Sequence, residues 1–425
     1  MVKGIKQHLQ RHKSVIESFL SLSVLNVLNM LLPLITIPYL YRVVGVDRYG
    51  AYSFVYAIVM YLILFSSYGF NFSATRQIAR HRDDPEAVNR IYNSVLQCRL
   101  ALALFASFLV WLALALFAER ETSLMLFYGL GIVLGDVFIP VWLFQGMEKM
   151  RYITLVNVVS KLLFTGLTFL LVKTPSDYVY VILFNSLGYM AAGIVSTYIA
   201  CRMFGISIRR ISKSDWIYQM RDGLHVFLST LFMNLYRNSN ILLLGACGLS
   251  DTSLGYYSGA EKIVKAVEGM VQPLSQALFP HLGYRFKNHS NSENIRSLFR
   301  LSLYLLGLLA LLTVVFYVSV PWITWIVMHV HSVEAENLMR IMSAVIMFGG
   351  INYVLGIVGL INLGEQKRFL YNVCCSGLLS ILFLLATVHS LGSMAAGFSM
   401  LLSELLLFAL CVYSLWRLYQ NARNA

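Results

Sequence analysis

Apolar runs of about 20 residues or more follow one another from residue 15 to residue 416, parted by short polar connectors. An α-helix needs about 20 apolar residues to cross the hydrocarbon of a bilayer. A chain in lipid must also satisfy every backbone group internally, which a helix does within one segment. The runs 15–41, 49–71, 92–117, 123–144, 152–172, 178–200, 222–246, 254–280, 300–327, 337–362, 369–388 and 392–416 therefore predict twelve membrane-spanning helices. Composition closes off the soluble alternative. Hydrophobic residues make up 58% of the 425-residue chain and charged residues 12%, against roughly 25% charged in soluble domains. One core could not hide that much apolar surface. The first run is too long for the apolar part of a signal peptide and lacks a small-residue cleavage site, so it is expected to be a retained span.

Orientation follows from the connectors. With the N-terminus in the cytoplasm, the inner segments carry 22 Lys and Arg, and the outer ones only Arg42, Arg48, Arg120 and Lys173. This bias is the signature of a multi-pass protein with both termini inside. It also absorbs most of the net charge of +13, which faces anionic lipid and needs no nucleic acid partner.

Three short matches recur in the same order in both halves. GAYS at 50–53 resembles GYYS at 255–258, CRLAL at 98–102 resembles FRLSL at 299–303, and QGMEKMRY at 145–152 resembles LGEQKRF at 363–369. The offsets are 205, 201 and 218 residues. Six spans per copy means that both copies enter the membrane from the same side, so the expected fold is all-α, with two parallel six-helix repeats around a central cavity. The expected organisation is an N-terminal bundle over 1–200, a cytoplasmic linker over 201–221 and a C-terminal bundle over 222–425.

Catalytic signatures are absent. No nucleotide loop, HExxH or GxSxG occurs, and the outer connectors are too short for an enzymatic domain, so the reading is a non-enzyme without cofactor or metal. Six cysteines lie in or beside apolar runs with no CxxC spacing, as packing residues do. The glycines of GLGIVLG at 129–135 sit inside a span and read as a close helix contact. A duplicated bundle without hydrolase motifs fits a secondary transporter that rocks its halves about the cavity. The other class is a structural membrane protein, which would not need charges at mid-depth.

The stretches VVGVDRYGAYSFVYAIVMY (43–61), RQIARHRDDPEAVNRIYNSVLQCRL (76–100) and PVWLFQGMEKMRYITLVNVVSKLLF (140–164) resemble Wzx-type flippases. These are polysaccharide exporters of the multidrug/oligosaccharidyl-lipid/polysaccharide (MOP) superfamily. The resemblance implies a Gram-negative inner-membrane flippase. Its substrate would be an undecaprenyl-diphosphate-linked oligosaccharide, the O-antigen repeat unit of lipopolysaccharide, carried from the cytoplasmic to the periplasmic leaflet. It also implies a polysaccharide polymerase and chain-length proteins as partners. No catalytic residues carry over. Related lipid II flippases have fourteen spans, which argues against a peptidoglycan precursor, and a cation-coupled drug exporter is the alternative within the superfamily.

Charged side chains inside spans mark candidate sites, because each costs about 2.5–3.5 kcal/mol on insertion scales. At about 100° per residue, Lys265, Glu268 and Lys262 lie within about 100° of Glu261 on span 254–280. On span 222–246, Thr230, Asn234 and Arg237 share one face. Arg237, Lys262 and Lys265 come to a similar depth, about 12–17 Å from the outer side at 1.5 Å per residue. One reading is local ion pairing between Glu261, Lys265 and Glu268. The other is a cationic floor for the diphosphate that the resemblance implies. At offset 205 the four charges map onto Tyr56, Ala57, Met60 and Ile63, so the first half folds without them. Asn26 and Asn29 on the first span fit a cavity lining or helix–helix hydrogen bonds. Asp136 and Lys161, at matching depth on adjacent spans, fit an ion pair or a coupling site. Glu404 is a lone acid that could bind a proton or sit neutral and hydrogen-bonded. Arg99 and Arg300, near cytoplasmic ends in both halves, read as anchors that snorkel to the interface.

Overall fold

The computed structural model describes residues 32–117, 120–270 and 290–424. Among them every regular element is helical. The helices are α1 (Leu32–Val44), α2 (Val46–Ser67), α3 (Phe70–Arg80), α4 (Pro85–Phe117), α5 (Arg120–Val137), α6 (Val141–Gly146), α7 (Met150–Leu171), α8 (Tyr178–Phe204), α9 (Lys213–Asn238), α10 (Asn240–Ala246) and α11 (Asp251–Gly269). After the segment outside the description come α12 (Asn291–Met328), α13 (Val333–Asn352), α14 (Gln366–Leu391) and α15 (Met394–Asn424). Nine helical stretches among the described residues are long and apolar enough to cross a membrane. They match the expected spans two to six and nine to twelve. Span 222–246 is helical as α9 and α10, but Asp222, His225, Asn234 and Arg237 keep it below that apolarity. Most of span 15–41, with Asn26 and Asn29, and the end of span 254–280 lie outside the described residues. The molecule is a multi-pass α-helical membrane protein.

The sequence sets where the helices start and break. Ser250, Ser290 and Ser332 cap α11, α12 and α13 by accepting from the backbone N–H of Ser253, Glu293 and Ala335, which satisfies a donor the helix leaves open. α2 stops at Tyr68 and Gly69, both left-handed (φ 43° and 74°). A side chain on Gly69 would also meet the Phe227 backbone N at 2.8 Å, so glycine is required there twice over. The span predicted at 123–144 is two helices, broken at residues 138–140 ahead of α6. Pro140 explains the break, since proline disfavours the helical conformation of the residue before it and cannot donate a backbone hydrogen bond. α13 continues into a π-helical stretch, Tyr353–Ile361.

The chain forms two compact units. One runs up to Tyr39 and resumes over Phe54–Leu231; the other comprises Leu40–Ser53 and Phe232–Ala425. In the first, α8 packs on α5 and α7. The seam is built from small residues, as in lipid, where close van der Waals approach holds helices together. A Cβ on Gly131 would lie 2.9 Å from Ser186 Cβ, one on Gly135 2.5 Å from the Tyr189 carbonyl carbon, and one on Gly188 2.5 Å from Ser160 O. The GLGIVLG run is thus a packing surface.

In the second unit α13 lies against α11, α12 and α15, and α15 against α14. The stretch 40–53 joins this unit through a reciprocal crossing. A Cβ on Gly50 would fall 1.8 Å from Asp251 O, and one on Gly255 2.2 Å from Val46 O. Residues 46 and 251, like 50 and 255, are 205 apart, the offset of the GAYS and GYYS matches. Each segment therefore meets the other as it is met, the pattern of a twofold contact. Tyr41 adds a hydrogen bond from its hydroxyl to Gly255 O (2.6 Å).

Candidate functional site

Four of the candidate charges meet in the second unit where α9 ends, α10 begins and α11 passes. Arg237, in the last turn of α9, donates from Nη2 to Glu268 Oε1 at 3.0 Å. Lys265 donates from Nζ to Glu261 Oε1 at 2.8 Å and, at 3.0 Å each, to Arg237 O and Asn238 Oδ1. It thereby caps a carbonyl that the end of α9 leaves without a helical partner. Asn238 in turn donates to Asn234 Oδ1 (3.0 Å). Arg237, Lys265, Glu261, Glu268 and Asn234 thus form one network.

Lys262 is not part of it. It donates to the Tyr49 hydroxyl at 2.6 Å and lies over the rings of Tyr49 and Tyr52, at 4.8 and 6.0 Å from their centroids. Of the three cations expected to come together, Arg237 and Lys265 do, and Lys262 makes a cation–aromatic contact instead. The cluster's formal charges balance, but they are not equally accessible. The Arg237 and Lys265 side chains are 46% and 29% exposed, against 13% for Glu268 and 10% for Glu261. The carboxylates are tucked inward; Glu268 sits against Gly349 of α13, where a Cβ would come 2.6 Å from its Oε1. The cations are thus the outer members of the cluster and the carboxylates the inner ones.

Glu404 on α15 is buried, and Asn352 donates from Nδ2 to its Oε2 and backbone O, both at 2.8 Å. Asn352 lies where α13 gives way to the π-helical turn, a kind of distortion frequent at functional sites. It was not singled out from sequence, although an amide inside an apolar span was a usable signal.

In the first unit, Asp136 is paired with Arg99 (2.5 Å), where the sequence suggested Lys161. Arg99 is not a snorkelling anchor. Its side chain is 2% exposed and also donates to Val137 O, Ile139 O and Ser67 Oγ. Two of these are carbonyls at the α5–α6 break. The arginine fills the gap that the break opens, and Asp136 neutralises it. Lys161 is half-buried on α7, and Arg300, the sequence match of Arg99, is exposed.

Residues 15–284 match the family described as "Polysaccharide biosynthesis protein". Two curated relatives are each named "Putative O-antigen transporter". The one from Escherichia coli (strain K12) is 32% identical over 255 residues, 60% of this chain and 61% of the relative. The one from Shigella dysenteriae is 30% identical over 264 residues, 61% of this chain and 66% of the relative. The matches thus span less than two thirds of either relative. Among solved structures, an inward-facing multidrug resistance MATE family transporter of the MOP superfamily superposes with a TM-score of 0.72 at 13% identity, covering 92% of this chain and 95% of that one. The lipid II flippase MurJ, in an inward closed conformation, gives 0.71 at 13% identity, with 94% and 90% covered. These two establish the fold. The family match extends over more than half of the chain, and the protein belongs to the polysaccharide biosynthesis protein family.

Proposed function

We propose that the chain is a flippase that moves a polyprenyl-diphosphate-linked oligosaccharide, the O-antigen repeat unit, from the cytoplasmic to the periplasmic leaflet of a bacterial inner membrane. The observation that carries this reading is the cluster on α9 and α11: two accessible cations backed by two recessed carboxylates at the depth of a membrane span. A diphosphate presents oxygens that a guanidinium can grip with two parallel hydrogen bonds. Glu268 holds Arg237 while the site is empty and yields it to the incoming phosphate. That exchange keeps binding reversible.

The full architecture of the proposal is twelve spans in two six-helix repeats around a central cavity, with both termini cytoplasmic, working by alternating access. The reciprocal crossing of Gly50 and Gly255 at the repeat offset supports the duplication. Glu404, with Asn352 donating to it, is the leading coupling group, since a carboxyl inside the membrane can take up a proton from one side and release it to the other. Asp136 and Lys161 are second candidates, Asp136 being already engaged by Arg99. Asn26 and Asn29 are proposed to line the cavity. The polymerase and chain-length proteins that act on the flipped unit are the proposed partners.

Deleting the gene tests the transported species. Surface polysaccharide should disappear while lipid-linked units build up on the cytoplasmic face. Normal surface polysaccharide with new sensitivity to cationic drugs would move the assignment to drug export.

A further inference from the structure

The connector between α8 and α9 is not a loose loop. Asn89, Asn93 and Gln97, one helical turn apart on α4, tie it down. Asn89 accepts from Ser207 N (3.2 Å) and donates to Ser207 Oγ (2.9 Å). Asn93 donates to Ser207 O (2.9 Å) and accepts from Arg209 N (2.8 Å), and Gln97 donates to Arg209 O (2.7 Å). Side-chain amides thus satisfy both backbone groups of Ser207 and of Arg209, as a neighbouring strand would. Downstream, Ser212 caps α9 by accepting from Asp215 N, and Asp215 pairs with Arg90 at 2.6 Å. The hydrogen bond from Arg90 holds the Asp215 carboxyl below the usual range, so its charge is committed there.

The other face of this strap is cationic and apolar together. Arg209, Arg210 and Lys213 are exposed, and none of them enters an ion pair among the described residues. Beside them Ile208 is 69% exposed and Ile217 60%, with Trp216 and Tyr218 also exposed. Lys213, Ile217, Arg221, Leu224 and Leu228 continue as one exposed stripe up α9. The stripe passes from Lys213 and Arg221 to Leu224 and Leu228, with Trp216 and Tyr218 exposed on either side of its start, the order met on leaving the headgroups for the hydrocarbon.

We propose that the strapped connector 205–213 is a binding site for the headgroups of anionic phospholipids in the leaflet it borders. Continuity with the leucine stripe of α9 selects lipid over a soluble acidic partner, because the same face that carries the cations runs on into the bilayer. Fixing the connector on α4 spares the ordering cost that a free loop would meet on binding. Asn89, Asn93 and Gln97 are positioning residues; the cations touch the lipid.

The test uses the full-length protein in detergent with equal phosphatidylglycerol and phosphatidylcholine, reading the ratio of the two bound lipids by native mass spectrometry. A cation near an anionic surface is worth about fivefold in binding, so Arg209→Gln, Arg210→Gln, Lys213→Gln together should cut the preference for phosphatidylglycerol roughly a hundredfold. The charge-matched set Arg80→Gln, Lys149→Gln, Lys367→Gln should leave it within about twofold, since these exposed cations lie at other helix ends and connectors. Asn89→Ala with Gln97→Ala keeps every cation and should still lower the preference. An unchanged ratio in the connector triple, or an equal loss in the charge-matched set, overturns the site. A wild-type ratio in the Asn89, Gln97 variant overturns the role of the strap.

Discussion

Arg237→Ala is expected to reduce transport of the lipid-linked oligosaccharide by about 30-fold to more than 1000-fold, the loss that follows truncating one member of a hydrogen-bonded charge pair (2–5 kcal/mol). The protein should insert at normal levels, because Arg237 is the most exposed member of its cluster and its removal lightens the charge load of the span. Lys265→Ala should lose transport as well, with some loss of order at the end of α9, whose carbonyl it caps. Glu268→Gln should act in the opposite sense on binding. It removes the carboxylate that competes for Arg237, so the apparent KM should fall and turnover should slow as the diphosphate is released less readily. Full activity in an Arg237→Ala, Lys265→Ala double variant at normal abundance would show that these residues only hold helices together.

The second large effect belongs to the first unit and is one of stability. Arg99→Ala should destabilise it by about 3–5 kcal/mol, the usual result of leaving a buried charge without its partner. Two carbonyls at the α5–α6 break would lose their donor at the same time, and in lipid no water can replace it. The expected readout is low abundance in the membrane and a lowered melting temperature of the purified protein. Replacing the pair together, Arg99→Met with Asp136→Leu, should recover part of the loss, since no charge is left unpaired. Wild-type abundance and melting in Arg99→Ala would return this residue to the role of an interfacial anchor.

The contrast between these two sites shows what the sequence carries. Spans were legible because bilayer thickness imposes a length on every apolar run. The Glu261, Lys265 and Glu268 group was legible because residues one turn apart must share a face of a helix. Arg99 was misread because its role is set by a gap in another helix, at Val137 and Ile139, nearly forty residues along the chain. Distance from a span end says nothing about such a gap; only Pro140 hinted at one. Its match Arg300 is exposed, so the resemblance of the two halves does not extend to what these arginines do. Lys262 was misplaced for a related reason. It stood at the edge of the polar arc, and the side chain that draws it away, Tyr49, comes from a stretch more than 200 residues earlier.

The substrate claim is tested most directly with purified protein in vesicles that hold labelled polyprenyl-diphosphate-linked oligosaccharide in both leaflets. A membrane-impermeant glycosidase is added outside, and the label released is followed with time. With the wild-type protein the inner-leaflet pool should also be cleaved, as it is carried outward. With the Arg237→Ala, Lys265→Ala variant, cleavage should stop at the outer-leaflet share. If the wild-type protein leaves the inner pool protected while the same vesicles accumulate a cationic dye, the chain is a drug exporter and the account given for its cationic cluster is wrong.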